Sequence, residues 1–406
     1  MAYATVLRPS RGRPLLTPAE ERERWIRRRI GTVWGLLVLN TIGYSGSVVH
    51  LPSVVGKGIT QGALPVALIV ALSANRRGVV RPNVFLCLVS LLALEAILTC
   101  TQTYFVGTIY RTFRLAEFVA VLWLISPWWG RRDLLLVRLH LKAYTVVLAS
   151  VVLGVLVTPG LAFADGRLGG ALWLIPPTQV AHYAAITIGL VVVLWLCGLV
   201  RGRVTVPVVA VTGIMLILTH TRTALIGLIA GILVAGLSLI LARARVRKLF
   251  VALGVVAAIV VMTLSSVITA WLARGQGEQE LTKLTGRTLV WNALLAFPRS
   301  RFQEIFGFGL SNSSFNGLPI DSNWLSSYQE HGLFGVTVCA AILLFLLVTA
   351  YFRPSGVERA LALFLVTYCL VASYTEDGFT DATTYLLELM LAASMLVASA
   401  ARRKQE

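Results

Sequence analysis

Two arginines and an aspartate, Arg222, Arg287 and Asp321, are the residues best suited by type and position to chemistry on a phosphorylated group. Arginine keeps its charge at any physiological pH and presents a planar fork of donors that matches phosphate oxygens. Arg222 sits in Leu218-Thr219-His220-Thr221-Arg222-Thr223, a very short turn between two apolar runs. Arg287 opens a segment in which Val290, Trp291, Leu294, Leu295 and Phe297 recur at helical spacing before Pro298. That pattern predicts a short interfacial helix, with Arg287 at an N-terminus whose free N–H groups also favour an anion. In the plainer alternative Arg222 snorkels to the membrane interface, Arg287 rides a solvated loop, and the helix is a plug without a ligand.

Asp321 follows Pro319 and precedes an apolar run, where a helix N-cap belongs, and Asp is a preferred cap. A carboxylate there can also take a proton from an acceptor hydroxyl, and the two roles are compatible. His331 would lie about 15 Å deeper on a continuous helix, too far to serve the same atom. Glu330 beside it is costly at that depth unless paired. The histidines show no HxxxH or HExxH spacing, so satisfied structural histidines are expected rather than metal ligands. Arg111 and Arg114 open a further apolar run, with Arg114 and Glu117 one helical turn apart and able to pair. The last polar loop, Tyr374 to Asp381, concentrates Glu376, Asp377 and Asp381, and its plain reading is a solvated turn.

These groups must be positioned by an unusually apolar chain. Its 406 residues are 57% hydrophobic and 13% charged, against about a quarter charged in soluble domains. Apolar runs near span length recur throughout, which excludes an ordinary soluble domain and predicts an all-α polytopic membrane protein. Twelve spans are expected, at roughly 32–51, 59–74, 83–101, 109–127, 141–158, 178–199, 204–219, 223–241, 249–271, 325–352, 358–374 and 382–400. The chain then divides into a cytoplasmic basic arm (1–30), transmembrane helices 1–9 (31–271), an extracytoplasmic loop with the interfacial helix (272–324), helices 10–12 (325–400) and a cytoplasmic tail (401–406).

With the N-terminus inside, 26 of the 36 Lys and Arg residues fall in inner segments and ten lie at or near the outer face. This is a positive-inside pattern. The net charge of +18 is therefore a topology signal, and no nucleic-acid partner is needed to explain it. The arm reads as an anchor to anionic membrane lipid. All five cysteines fall within expected spans and form no CxxC pair, so neither a disulfide framework nor a zinc site is indicated. No cleavable signal peptide is evident at the N-terminus. The expected location is the inner or plasma membrane, with both termini cytoplasmic and no metal or cofactor. Topology does not require basic residues outside, so the outer ones carry the most information.

Gly275 to Gly335 is the only long polar interruption, and loops of that length are functional or disordered. Its aromatic and amphipathic content predicts a lid over a membrane-embedded site. In order it holds Gly286-Arg287 with Trp291, then Gly307-Phe308-Gly309, Asp321-Ser322-Asn323-Trp324-Leu325, and Glu330-His331-Gly332-Leu333-Phe334-Gly335. Together with Thr221-Arg222-Thr223, this succession resembles the bacterial O-antigen ligase and O-antigen polymerase family. The motifs cover roughly residues 200 to 400, and the topology covers the whole chain.

The resemblance implies a GT-C-like membrane fold and metal-independent, inverting glycosyl transfer. The donor would be an oligosaccharide on an undecaprenyl-pyrophosphate-type carrier, and the acceptor a sugar hydroxyl of a polysaccharide or glycolipid at the outer face. It implies that Arg222 and Arg287 stabilise the departing pyrophosphate and that Asp321 acts as base or orienter. Arg111, Arg114, Thr221, Trp291, Asn323, Glu330 and His331 become candidate substrate contacts, and other polysaccharide-assembly proteins become candidate partners. Ligases carry His-Asn eleven residues before the first glycine of the terminal Glu-x-Gly-x-x-Gly. Here that position is Asp321, which is more like a polymerase. Ligase-type transfer stays open. A transporter or flippase for a lipid-linked or anionic solute is disfavoured, since no half-repeat is visible and the polar residues gather at one face. Peptidoglycan polymerases of the shape, elongation and division type share the gross topology, but their motifs do not match.

Overall fold

The structure, a computed structural model, describes residues 17–42, 52–101, 105–163, 166–240, 246–247, 287–311 and 313–397. Its first helix is set by a local signal. The Thr17 hydroxyl accepts from the Glu20 N–H, the Glu20 carboxylate accepts from the Thr17 N–H at 2.9 Å, and Pro18 occupies the first turn. This capping box starts α1 (Pro18–Thr41) inside the segment expected to be a polar arm. The helix then runs on with Ile30, Val33, Trp34 and Leu37 buried. The change from charged to apolar thus falls within one helix, because a cap and not hydropathy decides where a helix begins.

Among the described residues α1 is followed by α2 (Ser53–Ala74), α3 (Val84–Thr99), α4 (Phe105–Ile125), α5 (Leu135–Val157), a single turn α6 (Pro159–Ala162), α7 (Pro177–Leu196), α8 (Gly202–Leu218) and α9 (Arg222–Leu239). After them come α10 (Arg287–Ala296), α11 (Arg301–Phe306), α12 (Asn323–Phe352), α13 (Val357–Ala372) and α14 (Thr384–Leu396). The expected span 249–271, the loop up to residue 286 and the tail 401–406 lie outside the described residues. Helices α2, α5, α7, α9 and α12 are long and apolar enough to cross a membrane, and α3, α8 and α14 are apolar but shorter. The protein is mostly helical and has the character of a polytopic membrane protein.

The core centres on α7, in which every residue from Val180 to Val191 is buried. Small residues let its neighbours approach closely: a Cβ added at Gly189 or Gly231 would strike the Phe364 ring of α13. A buried polar cluster ties four helices together. The Glu388 carboxylate accepts from the Tyr144 hydroxyl at 2.9 Å and lies 2.7 Å from His182 Nε2, while His182 Nδ1 is 3.1 Å from the Tyr368 hydroxyl. A carboxylate at that depth is tolerated because it is partnered.

Charged residues collect at the two ends of the bundle. At one end Glu23 and Arg27 of α1 meet Arg131 and Asp133, with Arg131–Glu23 at 2.6 Å and Arg27–Asp133 at 2.7 Å. At the other end of α1, the Asn40 side chain accepts from Arg114 of α4 at 3.2 Å.

Candidate active site at the Arg114 end of the bundle

A tight hairpin builds the centre of this site. Ser314–Phe315 (β1) pairs antiparallel with Leu318–Pro319 (β2) across Asn316 and Gly317, both at positive φ (51° and 77°). That is the backbone a two-residue hairpin turn demands, and Asn-Gly supplies it. Phe315 and Ile320 pack on Leu294 of α10, and the Trp291 indole donates to the Ile320 carbonyl at 2.7 Å. The hairpin therefore lies against α10, which is helical over Arg287–Ala296 as the apolar spacing predicts.

Asp321 follows the hairpin in a left-handed conformation, φ 44°. Ser322, not Asp321, stands at the N-cap of α12, and no side chain caps that helix. The cap expected of Asp321 is thus absent, because the left-handed turn aims its carboxylate elsewhere: Oδ2 accepts from Arg287 Nε at 3.1 Å. Two residues 34 positions apart, singled out independently in the sequence, form one ion pair.

The first turn of α12 also fastens the loop between α13 and α14. The buried Asn323 side chain accepts from the Phe379 N–H at 2.8 Å, its backbone N–H donates to the Ser373 carbonyl at 3.0 Å, and the Trp324 indole donates to the Ser373 hydroxyl at 3.1 Å. Phe379, Thr380 and Ala382 are buried. The acidic loop is therefore not the solvated turn its composition suggests. Glu376, partly buried, feels the charges of Arg287, Asp321, Asp377 and Arg167. Burial pushes its carboxyl up to about 7, Asp321 and Asp377 act in the same direction, and the two arginines oppose it. Asp377 is likewise raised by burial, and the Ser313 hydroxyl hydrogen-bonds it.

The Arg222 turn reaches the same loop. Thr223 Oγ1 lies 2.5 Å from Thr375 Oγ1, one residue before Glu376. Buried Thr221 accepts from Arg167 Nη2 at 3.2 Å, and Arg167 Nε donates to the Thr219 carbonyl at 2.9 Å. The turn 221–223 and the Arg287–Asp321 pair thus converge on one acidic loop. Trp291, edge-on to Tyr374 at 5.8 Å, closes the same region.

Other candidates have different partners. Arg114 does not pair with Glu117. It reaches the side chain and carbonyl of Asn40, the Ala382 carbonyl at 2.7 Å and Asp381 at 3.5 Å, because those acceptors surround its guanidinium. Arg111 also faces Asp381 at 3.5 Å. Glu330 and His331, expected as substrate contacts, are fully buried and internally partnered. One Glu330 oxygen accepts from the Ser311 N–H, the Ser311 hydroxyl and the Ser313 N–H at 2.9–3.0 Å. His331 Nδ1 is bonded to Glu95 of α3. Both side chains brace the site from behind, where exclusion from water makes such bonds strong.

The glycine motifs have a steric origin. The chain breaks from helical geometry at Gly332, φ 62° and ψ −158°. A Cβ there would lie 2.4 Å from the Ile305 carbonyl, and one at Gly307 would lie 2.4 Å from the Glu330 carbonyl. The two glycines let the loop after α11 press against the break in α12, where the Phe308 and Gly309 N–H groups donate to the Gln329 and Glu330 carbonyls.

Sequence reasoning passed over Glu376, Asp377 and Arg167 as parts of this centre. Their only local signal was placement in polar loops between apolar runs, which many solvated residues share.

Residues 207–338 match the family model described as O-antigen ligase. No curated protein matches the chain. The matched segment takes in the Arg222 turn, Arg287, the hairpin, Asp321 and the Glu330–Gly335 break, and it ends before the acidic loop. It supports membrane glycosyltransferase activity of the O-antigen ligase or polymerase type. Over residues 207–338 the chain is therefore similar to the O-antigen ligase family.

Proposed function

We propose that the protein is a twelve-span, GT-C-like glycosyltransferase of the polymerase kind. It transfers a glycan from an undecaprenyl-pyrophosphate-type carrier to an acceptor sugar hydroxyl, at the outer face of the inner or plasma membrane. In this topology both termini are cytoplasmic and the segment 272–324 is extracytoplasmic. The observation that carries the proposal is the convergence of Arg287, Asp321 and the Arg222 turn on the acidic loop at Glu376.

The acceptor oxygen bonds to the anomeric carbon as the bond from that carbon to the pyrophosphate oxygen breaks, inverting the centre. Charge accumulates on the departing diphosphate, and Arg287 and Arg222 are the fixed cations that meet it. The one hydroxyl proton passes to one of two carboxylates, Asp321 or Glu376, and the other orients the acceptor. Asp321 also holds Arg287 in place, and Glu376 titrates near neutrality, where a catalytic base works best. Transfer is metal-independent, as the family resemblance implies, and needs no cofactor.

Purified protein in lipid nanodiscs, supplied with the host's carrier-linked oligosaccharide, tests the proposal. Longer carrier-linked chains are the expected product. Transfer to a lipid-core acceptor alone would mark a ligase. Full activity in both Arg287→Ala and Arg222→Ala would sink the pyrophosphate assignment.

A further inference from the structure

A cavity of about 520 Å³ lies between the start of α4 and residues 308–311 and 314–317. Gly107, Thr108 and Arg111 of α4 form one wall, and Phe308, Ser311 and Ser314 form the facing one. Three aromatic rings meet at its side: Phe297 stands edge-on to Phe308 and to Phe315, with centroids 6.0 and 5.6 Å apart. Arg299 lies over the Phe308 and Tyr328 rings, 5.1 and 4.3 Å from their centroids, and its Nη2 donates to Gln329 at 2.7 Å. Glu330 holds Ser311 and Ser313 from behind, so the polar wall is built before any ligand arrives.

We propose that this cavity binds sugar residues of the acceptor glycan, with the aromatic corner stacking on the C–H faces of pyranose rings and Arg111, Ser311, Ser314 and Gln329 meeting their hydroxyls. The volume is within the range of about 300–1,000 Å³ typical of small-molecule sites. A pyranose has one apolar face and a polar rim, which is the division these walls display. A lipid chain suits a different place, the aliphatic groove of about 560 Å³ between α5, α7 and α8, lined by residues such as Leu148, Val152 and Val211. A phosphate is poorly served by the cavity, because Arg111, the one cation lining it among the described residues, already faces Asp381.

The acidic loop connects the cavity to the ion pair. Asp381 meets Arg111, Asp377 meets Ser313, and Glu376 feels Arg287 and Asp321. A glycan seated in the cavity would therefore extend toward the two carboxylates, one of which takes its proton. Its designation as acceptor rests on the proposed transferase reading, whereas saccharide binding does not.

The test uses full-length protein in nanodiscs. The probe is the glycan freed by mild acid from the host's carrier-linked oligosaccharide and fluorescently labelled at its reducing end. Gly107→Trp places an indole in the cavity at a position where an added Cβ meets nothing within 4 Å. It should weaken probe binding by at least about tenfold. Phe308→Leu, which removes a ring but keeps an apolar side chain, should weaken it about threefold or more, within the worth of an aromatic contact. Arg287→Ala should bind the probe as wild type does. In transfer assays with the freed, labelled glycan added as acceptor, both cavity variants should raise the KM for that glycan and leave the KM for the carrier-linked donor unchanged.

Wild-type binding in both cavity variants would overturn the proposal. So would loss of binding in Arg287→Ala alone, or equal rises in donor and acceptor KM. If wild type binds the probe through the cavity yet transfers nothing from the carrier, the transferase reading fails and the saccharide site stands. Should Gly107→Trp not fold, as judged by its thermal midpoint, Phe308→Leu decides the matter.

Discussion

Arg287 gives the sharpest test, because its expected effects on stability and on catalysis differ in size. Its bond to Asp321 is 3.1 Å long, but the two side chains are 27% and 37% exposed. At that exposure solvent screens the pair, and its removal should cost the fold no more than about 1 kcal/mol. A donor aimed at charge that develops in the transition state is worth far more. Deleting one typically lowers kcat by about 10² to 10³, or about 3–4 kcal/mol. Arg287→Ala should therefore lose at least about 100-fold in transfer while its thermal midpoint barely moves. Arg287→Lys should fall in between, since it keeps the charge and loses the planar fork. The assay is glycan transfer in nanodiscs, paired with thermal unfolding of the same preparation. Transfer within about threefold of wild type would refute the reasoning, since such a loss is less than one decade. So would a loss of activity matched by a collapse in stability.

Further outcomes follow from the surrounding structure. If Glu376 accepts the proton, transfer should rise with pH through about 7 and level off above it, and Glu376→Gln should abolish that limb. Stability should run the other way. The folded carboxyl holds its proton to about 7 while the free side chain releases it near 4.5, so the folded state binds more protons between those values and stability falls as pH rises across them. That slope should be shallower in Glu376→Gln, as read by thermal midpoints from pH 4 to 8. Glu330→Ala strands the Ser311 and Ser313 N–H groups and should cost about 3 kcal/mol in chemical denaturation, with Glu330→Gln recovering much of it. Gly332→Ala must move the Ile305 carbonyl at a φ that only glycine adopts easily. It should destabilise by about 2 kcal/mol or more and lower transfer with it.

Much of the architecture was written in local pattern. Hydropathy and period predict a helix over Arg287–Phe297, where the structure has α10, and from the second expected span onward the apolar runs that lie in the described residues fall on helices. The start of α1 is equally legible as a Thr-Pro-x-Glu capping box, a signal that hydropathy does not register. The segment similar to the O-antigen ligase family, residues 207–338, holds the Arg222 turn, Arg287, Gly307, Gly309 and Asp321 in that order along the chain.

What the sequence could determine was which residues are apolar and which helical. Partnership was decided only by the fold. Arg114 lies three residues from Glu117 and still turns to Asp381, 267 residues away; His331 finds Glu95; and Asp321 gives up a helix N-terminus for Arg287. Helical period and capping act over a few residues, whereas the burial that raises Glu376 and the acceptor that wins an arginine depend on which helices pack side by side.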